Sequence, residues 1–158
     1  QRQTFSDERG FFRESARIRE IEEAAGVSFN IAQLNHARSS KNTLRGIHIA
    51  PWNKLVYVTR GKVQEVIVDL REGSPTFGKH ESFVIGDDNR LSIFVPAGCG
   101  NAYLVLSGEA DYTYLTDAEW EPDREIGVLW NDPKLNIVWQ LDGDPVLSEK
   151  DSQNPRFK

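Results

Sequence analysis

Three histidines, His36, His48 and His80, are the first candidates for acid–base or metal chemistry, because imidazole titrates near neutral pH and is a common metal ligand. They lie 12 and 32 residues apart and form no His-x-His pair. This spacing favours surface or loop positions for His36 and His80 over a three-histidine metal centre. His48 follows Leu44-Arg45-Gly46-Ile47 and leads into an apolar segment. Position alone favours a hydrogen-bonded core histidine, and a catalytic role requires a partner that fixes its tautomer.

The dipeptides Arg9-Gly10 and Arg45-Gly46 suit anion binding, because a guanidinium binds a diphosphate through paired donors and glycine lets a ligand approach the backbone. Together they permit a two-arginine clamp without establishing one. The segment Gly98-Cys99-Gly100 follows a proline and is too short for a phosphate-binding loop. We expect Cys99 to be a small residue in a tight turn between strands, since nothing near it in the sequence would activate a thiolate.

One helix and several strands must position these residues. Residues 15–25 carry apolar side chains at three- and four-residue spacing, and Gly26 ends the predicted helix. Residues 54–59 and 63–70 flank Arg60-Gly61 and predict a β-hairpin. Further strands are predicted at 82–85, 91–95, 102–106 and 110–116, with a loop at 96–100 and an irregular segment from 131 onward.

Many short strands at regular intervals predict an all-β sandwich or barrel, and the mouth of a closed antiparallel barrel is a natural ligand site. The chain has 158 residues, enough for one domain, and a formal net charge of −5, which disfavours nucleic acid as a partner. No run of 18 apolar residues is present, so we expect no membrane span. A single cysteine indicates a reducing compartment, and we expect a cytoplasmic protein.

The order of the motifs resembles the dTDP-4-dehydrorhamnose 3,5-epimerase family along essentially the whole chain. The motifs are SDERGFFRE at 6–14, QLNH at 33–36, NTLRGIH at 42–48, KLV at 54–56, GKV at 61–63, VDLREGSPTFG at 68–78, VPAG at 95–98, LWNDP at 129–133 and LSEKD at 147–151. The resemblance implies a single domain over 1–158 with a cupin-like antiparallel β-barrel of the jelly-roll type and a short N-terminal helix. It also implies a homodimer that uses no metal and no cofactor.

The activity that the resemblance implies is an isomerase reaction in deoxysugar and polysaccharide biosynthesis. The substrate is a nucleotide-diphospho-4-keto-6-deoxy sugar, dTDP- or GDP-linked, bound in the barrel mouth. The enzyme inverts C3, C5 or both, because protons α to the ketone are weakly acidic and their removal gives an enolate. Two alternatives stay open: a 3,4-ketoisomerase, which moves the ketone, and a non-catalytic sugar-nucleotide-binding barrel, which has no need of an acid on the opposite face.

The resemblance also implies roles for individual residues. His48 is the general base, Asp151 orients it, and Tyr114 is the acid on the opposite face of the sugar. Lys54 lies near the ketone, where an ammonium stabilises the enolate oxygen. The nucleotide contacts are the diphosphate-binding Arg9 and Arg45, the polar Glu14, Gln33 and Asn35, and Trp120, which stacks on the base where the family more often has tyrosine.

One departure affects the sugar pocket. Gly100-Asn101-Ala102-Tyr103 stands where the family has Ala-His-Gly-Phe, and the connection from His48 to Lys54 is short. We expect Asn101 to hydrogen-bond a sugar oxygen, although an amide does not transfer protons as imidazole does. The departure indicates a divergent subgroup with narrower chemistry, in which C3 exchanges its proton faster than C5.

Overall fold

A computed structural model describes residues 2–157 as eleven β-strands and two short helices. The order is β1 (Thr4–Asp7), β2 (Gly10–Arg13), α1 (Ile18–Ala25), β3 (Gln33–Ser40), β4 (Leu44–Ile49), β5 (Lys54–Arg60), β6 (Lys62–Asp69), β7 (His80–Gly86), β8 (Ser92–Val95), β9 (Cys99–Val105), β10 (Glu109–Thr116), β11 (Ile126–Gly127) and α2 (Glu149–Ser152). Neither helix approaches the length and apolarity that a bilayer-spanning helix needs.

The strands form two antiparallel sheets that face each other, which confirms the predicted cupin-like barrel. One sheet has four strands in the order β3-β10-β5-β8, and the other has five in the order β11-β4-β9-β6-β7. Strands β1 and β2 form a separate two-stranded ribbon. Apolar side chains from both large sheets share one core cluster, which includes Val56 and Tyr112 from the first sheet and Val63 and Tyr103 from the second. The interior of the barrel is therefore the space between the sheets.

Strand β6 is buried on both faces, because the C-terminal segment covers the outside of the five-stranded sheet. Val63 faces the barrel interior, whereas Val66 and Val68 face outward and pack with Leu135. Gln64 also faces outward, where its side chain bonds to the backbone of Val138 and Gln140. The segment after residue 131 is irregular, as predicted, apart from α2, and it closes one face of the barrel.

The predicted hairpin around Gly61 is wrong, although both of its strands exist. Strand β5 pairs with β8 and β10, whereas β6 pairs with β7 and β9 in the other sheet. A single residue separates the two strands, which is fewer than the two that the tightest common hairpin loops contain. Gly61 has φ +81°, and a Cβ there would lie 2.2 Å from the carbonyl oxygen of Glu109. This glycine therefore makes a corner that passes the chain from one sheet to the other.

Helix α1 ends where the sequence predicts and begins three residues later than predicted, at Ile18. Gly26 adopts the left-handed conformation, and its N–H bonds to the carbonyl oxygen of Glu22 at 2.8 Å. Cys99 closes a tight turn between strands, as predicted, because its backbone N–H bonds to the carbonyl oxygen of Pro96 at 3.0 Å. It is also the buried first residue of β9. Burial raises the pKa of its thiol, which keeps the thiol protonated and unreactive.

Candidate active site

A cavity of about 170 Å³ opens between the two sheets of the barrel. Polar and aromatic side chains from both sheets line it, together with Glu125 from the segment before β11. The lining residues are Ala37, Arg45, His48, Lys54, Asn101, Tyr103, Tyr112, Tyr114 and Glu125. Five residues of the predicted site are therefore brought together here, namely Arg45, His48, Lys54, Asn101 and Tyr114.

A β-bulge in β4 brings Arg45 and His48 to the same side of the sheet. In a regular strand, residues three apart point to opposite faces. Here Arg45 pairs with Tyr103 and His48 with Asn101, so two residues of β4 oppose one residue of β9. Gly46 permits this, because it has φ +124° and a Cβ there would lie 2.5 Å from that of Ala102. The Gly46–Ile47 peptide bond is cis.

His48 and Asp151 form a close hydrogen-bonded pair. The Nε2 atom of His48 lies 2.6 Å from Oδ1 of Asp151, which is buried in α2. Ser148 precedes this helix and caps its N-terminus, where its hydroxyl accepts a hydrogen bond from the backbone N–H of Asp151 at 3.0 Å. Burial opposes ionisation of Asp151, but the bonds from His48 and Ser148 outweigh it and lower the pKa of the carboxyl. An ionised Asp151 accepts the imidazole proton at Nε2 and leaves Nδ1 available as a base.

Lys54 is a nearly buried ammonium at the cavity wall, 5% exposed. Its Nζ donates to Oδ1 of Asn101 at 3.0 Å and lies 3.4 Å from Oε1 of Glu125. Burial lowers the pKa of Lys54, and the negative charges of Glu125 and Glu65 partly offset this. An ammonium in such a low-dielectric place attracts an oxygen that develops negative charge more strongly than it would in water.

Tyr114 reaches the cavity from the sheet opposite His48. It lies on β10 of the four-stranded sheet, whereas His48 lies on β4 of the five-stranded sheet. The Nζ atom of Lys54 is 6.0 Å from the centre of the Tyr114 ring. Burial raises the pKa of Tyr114, so its phenol stays protonated near neutral pH and can donate a proton.

Asn101 takes part in a buried polar network behind the cavity wall. Its Oδ1 accepts from Lys54, and its Nδ2 lies 3.5 Å from Oε1 of Glu65 and 3.4 Å from the hydroxyl of Tyr112. The same hydroxyl donates to Oε2 of Glu65 at 3.0 Å. Both ends of the Asn101 amide are thus occupied by protein groups, whereas the sequence predicts a contact with a sugar oxygen.

The predicted base-stacking residue lies at the rim of the cavity. Trp120 is 51% exposed, and its backbone N–H bonds to Oε1 of Gln33 at 2.7 Å. Gln33 in turn donates to Oδ1 of Asn35 at 2.7 Å, and Nδ2 of Asn35 is buried with no protein partner. The indole N–H of Trp120 points to Oε2 of Glu125 at 3.3 Å. The carboxylate of Glu125 therefore contacts both Trp120 at the rim and the ammonium of Lys54.

Arg9 and Glu14 lie outside the cavity of their own protomer. Arg9 lies in the turn of the β1–β2 ribbon, where it forms an ion pair with Asp7. Glu14 follows the ribbon and pairs with Arg2 and Arg17. Neither residue belongs to the cavity lining.

The other histidines lie away from the cavity lining. His36 is exposed on β3 and pairs with Asp111 at 3.0 Å, and His80 begins β7. Among residues 2–157, no group of three or more histidine, cysteine, aspartate or glutamate side chains has an arrangement that could hold a metal ion.

Sequence reasoning missed Glu65 and Glu125. The sequence did contain a signal for Glu65, because an acidic residue within an apolar strand is rarely buried unless it is paired. Glu125 lies outside the motifs from which the site was predicted, between the Tyr114 and LWNDP segments.

Comparison with known proteins matches residues 1–158 to the family model described as dTDP-4-dehydrorhamnose 3,5-epimerase. The chain is 44% identical over 156 residues to the enzyme of that name from Pseudomonas aeruginosa, covering 97% of this chain and 86% of that protein. It is similar to the structure of dTDP-6-deoxy-D-glucose-3,5-epimerase from Legionella pneumophila in complex with dTDP-4-keto-L-rhamnose, with a TM-score of 0.92 and 34% identity over 99% of this chain and 91% of that one. A 3'-monoepimerase from Streptomyces bikiniensis in complex with dTDP-quinovose gives a TM-score of 0.93 and 36% identity over 98% of this chain and 80% of that one.

Proposed function

The chain belongs to the dTDP-4-dehydrorhamnose 3,5-epimerase family, and we propose that it epimerises a dTDP-linked 4-keto-6-deoxy sugar at the carbons flanking the ketone. The observation that carries the proposal is the placement of three groups around one cavity. A histidine oriented by a carboxylate lines it from one sheet, and a protonated tyrosine lines it from the other. Lys54 supplies a cation at the same cavity. Base, acid and enolate stabiliser are the three groups that this inversion needs.

The first step is removal of a proton from C3 or C5. The imidazole of His48 takes the proton at Nδ1, the C–H electron pair forms the C=C bond of the enolate, and negative charge develops on O4. The Asp151 carboxylate stabilises the resulting imidazolium through the 2.6 Å contact at Nε2. The ammonium of Lys54 donates to O4, where the charge appears.

The second step returns a proton to the same carbon from the opposite face. The hydroxyl of Tyr114 gives its proton to the enolate carbon, the C=C electrons form the new C–H bond, and O4 becomes a ketone again. The tyrosinate and the imidazolium then exchange protons with solvent, which restores both residues. Each inversion in deuterated water therefore places one solvent deuteron on the sugar carbon.

The nucleotide part of the substrate extends from the cavity toward its rim. Arg45 is the cavity-lining cation suited to the diphosphate. Trp120 offers a half-exposed aromatic face for the base, and Gln33 and Asn35 offer polar groups beside it. Relatives whose structures contain dTDP-linked ligands support dTDP over GDP as the nucleotide.

The working unit in this proposal is a homodimer. Arg9 and Glu14, both expected at the nucleotide, lie outside the cavity of their own chain. The β1–β2 ribbon exposes three phenylalanines, Phe5, Phe11 and Phe12, which are 56%, 56% and 69% exposed. An apolar ribbon of this kind suits burial against another protein surface. We therefore propose that the ribbon of one protomer packs on its partner and carries Arg9 to the partner's site.

Solvent deuterium incorporation tests the function directly. Incubation of the protein with dTDP-4-keto-6-deoxyglucose in deuterated water should place deuterium at C3, C5 or both and leave the ketone at C4. His48→Asn and Tyr114→Phe should each lower the rate of inversion by about 100-fold or more, whereas His80→Asn, the same change outside the cavity, should not. Migration of the ketone to C3 would establish a ketoisomerase instead, and absence of exchange with every 4-keto sugar offered would contradict catalysis.

A further inference from the structure

A carboxyl group with no role in the proposed chemistry lies beneath the cavity wall. Glu65 is 0% exposed and lies on strand β6, with its side chain between the two sheets. Its Oε2 accepts from the hydroxyl of Tyr112 at 3.0 Å, and its Oε1 faces Nδ2 of Asn101 at 3.5 Å. A buried carboxyl is costly to keep, so its contacts call for a physical explanation.

The explanation lies in the amide of Asn101, which has two chemically different ends. The NH₂ end can only donate and the oxygen end can only accept. Glu65 presents an acceptor to the NH₂ end, so the oxygen end must turn away from Glu65. The oxygen then meets the ammonium of Lys54 at 3.0 Å. With the reverse orientation, the amide oxygen would face the carboxyl oxygen of Glu65, and the NH₂ group would face the ammonium of Lys54. Neither pair could form a hydrogen bond.

We infer that Glu65 is a positioning residue for Lys54 and acts through Asn101. The inference rests on the proposed function only in assigning Lys54 to the ketone. Glu65 touches no reacting atom, but it fixes the amide oxygen that holds the ammonium at the cavity. The hydrogen bond to Asn101 takes up one donor of the ammonium, and Glu125 attracts a second. The remaining donor is free for the substrate oxygen.

Both protonation states of Glu65 preserve this arrangement. When the carboxyl is ionised, Oε1 accepts from Asn101 and Oε2 accepts from Tyr112. When it is protonated on Oε2, that oxygen donates to the Tyr112 hydroxyl while Oε1 still accepts from Asn101. Glutamine reproduces the second state, because its oxygen accepts and its NH₂ group donates. Leucine has a similar volume but offers Asn101 no acceptor.

The charged and titratable groups around the pair come from several elements. Lys54 on β5 faces the carboxylates of Glu65 and Glu125 and the ring of Tyr114. Glu65 faces the phenols of Tyr112 on β10 and Tyr103 on β9. The residues across the cavity are Arg45 and His48 on β4. Burial already lowers the pKa of Lys54, so loss of the Asn101 oxygen should lower it further.

The test compares Glu65→Leu with Glu65→Gln in the deuterium-exchange assay. Glu65→Leu should lower kcat by about 10- to 100-fold, because a misplaced ammonium loses its alignment with the enolate oxygen, and should change KM by less than about threefold. The alkaline limb of its pH–rate profile should move to lower pH. Glu65→Gln should keep kcat within about threefold of that of the parent near pH 7. Glu81→Gln, at an exposed glutamate on the neighbouring strand β7, should change neither quantity.

A double-mutant cycle tests the route through Asn101. Asn101→Ala should lower kcat as much as Glu65→Leu does, and the double variant should have a kcat no lower than that of either single variant. The inference would be overturned if the two substitutions lowered kcat additively, or if Glu65→Leu and Glu65→Gln lowered kcat equally. If Glu65→Leu fails to show a cooperative unfolding transition, Glu65→Asp takes its place in the cycle, because it keeps a buried carboxyl but withdraws it from Asn101. Absence of exchange by the unmodified protein would instead contradict the proposed function.

Discussion

Replacing Glu65 by glutamine should remove a pH dependence from the folding free energy of this protein. Burial raises the pKa of Glu65 from 4.5 to about 8, against the lowering effects of Tyr112, Asn101 and Lys54. A carboxyl whose pKa is higher in the native state binds its proton more tightly there than in the unfolded chain. Between pH 4.5 and 8 the native state therefore holds the extra proton, and the free energy of unfolding falls as pH rises.

The magnitude follows from the difference between the two pKa values. Each pKa unit corresponds to about 1.36 kcal/mol, so the full effect from pH 4.5 to 8 has a ceiling of about 5 kcal/mol. Over the accessible window from pH 5.5 to 7.5, the loss attributable to Glu65 is about 2.5 kcal/mol. Glutamine has nearly the same shape and cannot ionise, so the Glu65→Gln variant should lack this component.

Urea denaturation at pH 5.5, 6.5 and 7.5 measures the effect. The unfolding free energy of the Glu65→Gln variant, relative to the parent, should rise by about 2.5 kcal/mol across the three pH values. Glu81→Gln is the matched control. Because Glu81 is exposed, the unfolding free energies of this variant and of the parent should change with pH in parallel. Parallel curves for Glu65→Gln would mean that Glu65 titrates as an exposed carboxyl does, and would refute the argument that burial keeps it neutral.

Four further outcomes are expected. Asp151→Asn should lower the exchange rate by about 100- to 10,000-fold without loss of folding, because an amide fails to stabilise the imidazolium of His48; rates within threefold of the parent would contradict the pairing. Dialysis against a chelator should leave activity intact, and restoration of lost activity by zinc or iron would disprove a metal-free reaction. NMR of the deuterated product should show the C3 proton signal decaying faster than the C5 signal, with the gap narrowed in Asn101→His; equal rapid decay in the parent would return the reaction to full 3,5-epimerisation. Light scattering at micromolar concentration should give a dimer mass, and Phe12→Ser should shift it toward the monomer, whereas a monomeric parent would refute the shared site.

Several features of this protein could be predicted from local sequence. Gly26 ends helix α1 because a left-handed cap favours glycine, and this requirement is local to the helix end. The runs of β-branched and aromatic residues that became β5, β6 and β10 are likewise local patterns. The pairing of His48 with Asp151 was instead an implication of the family resemblance, and the structure brings the two side chains to hydrogen-bond distance.

Other features depend on contacts between residues that are distant in the chain, and local sequence patterns do not specify them. The partners of β5 and β6 depend on the Gly61 corner, because strand composition does not specify which sheet a strand joins. Arg45 and His48 share a face only because the bulge between them is formed against β9. Glu65 and Asn101 are 36 residues apart, and their relation to Lys54 exists only where β5, β6 and β9 meet. The sequence determined which chemical groups were available, and the packing of two sheets decided which of them act on one another, because hydrogen bonds and charges act over a few ångströms in space.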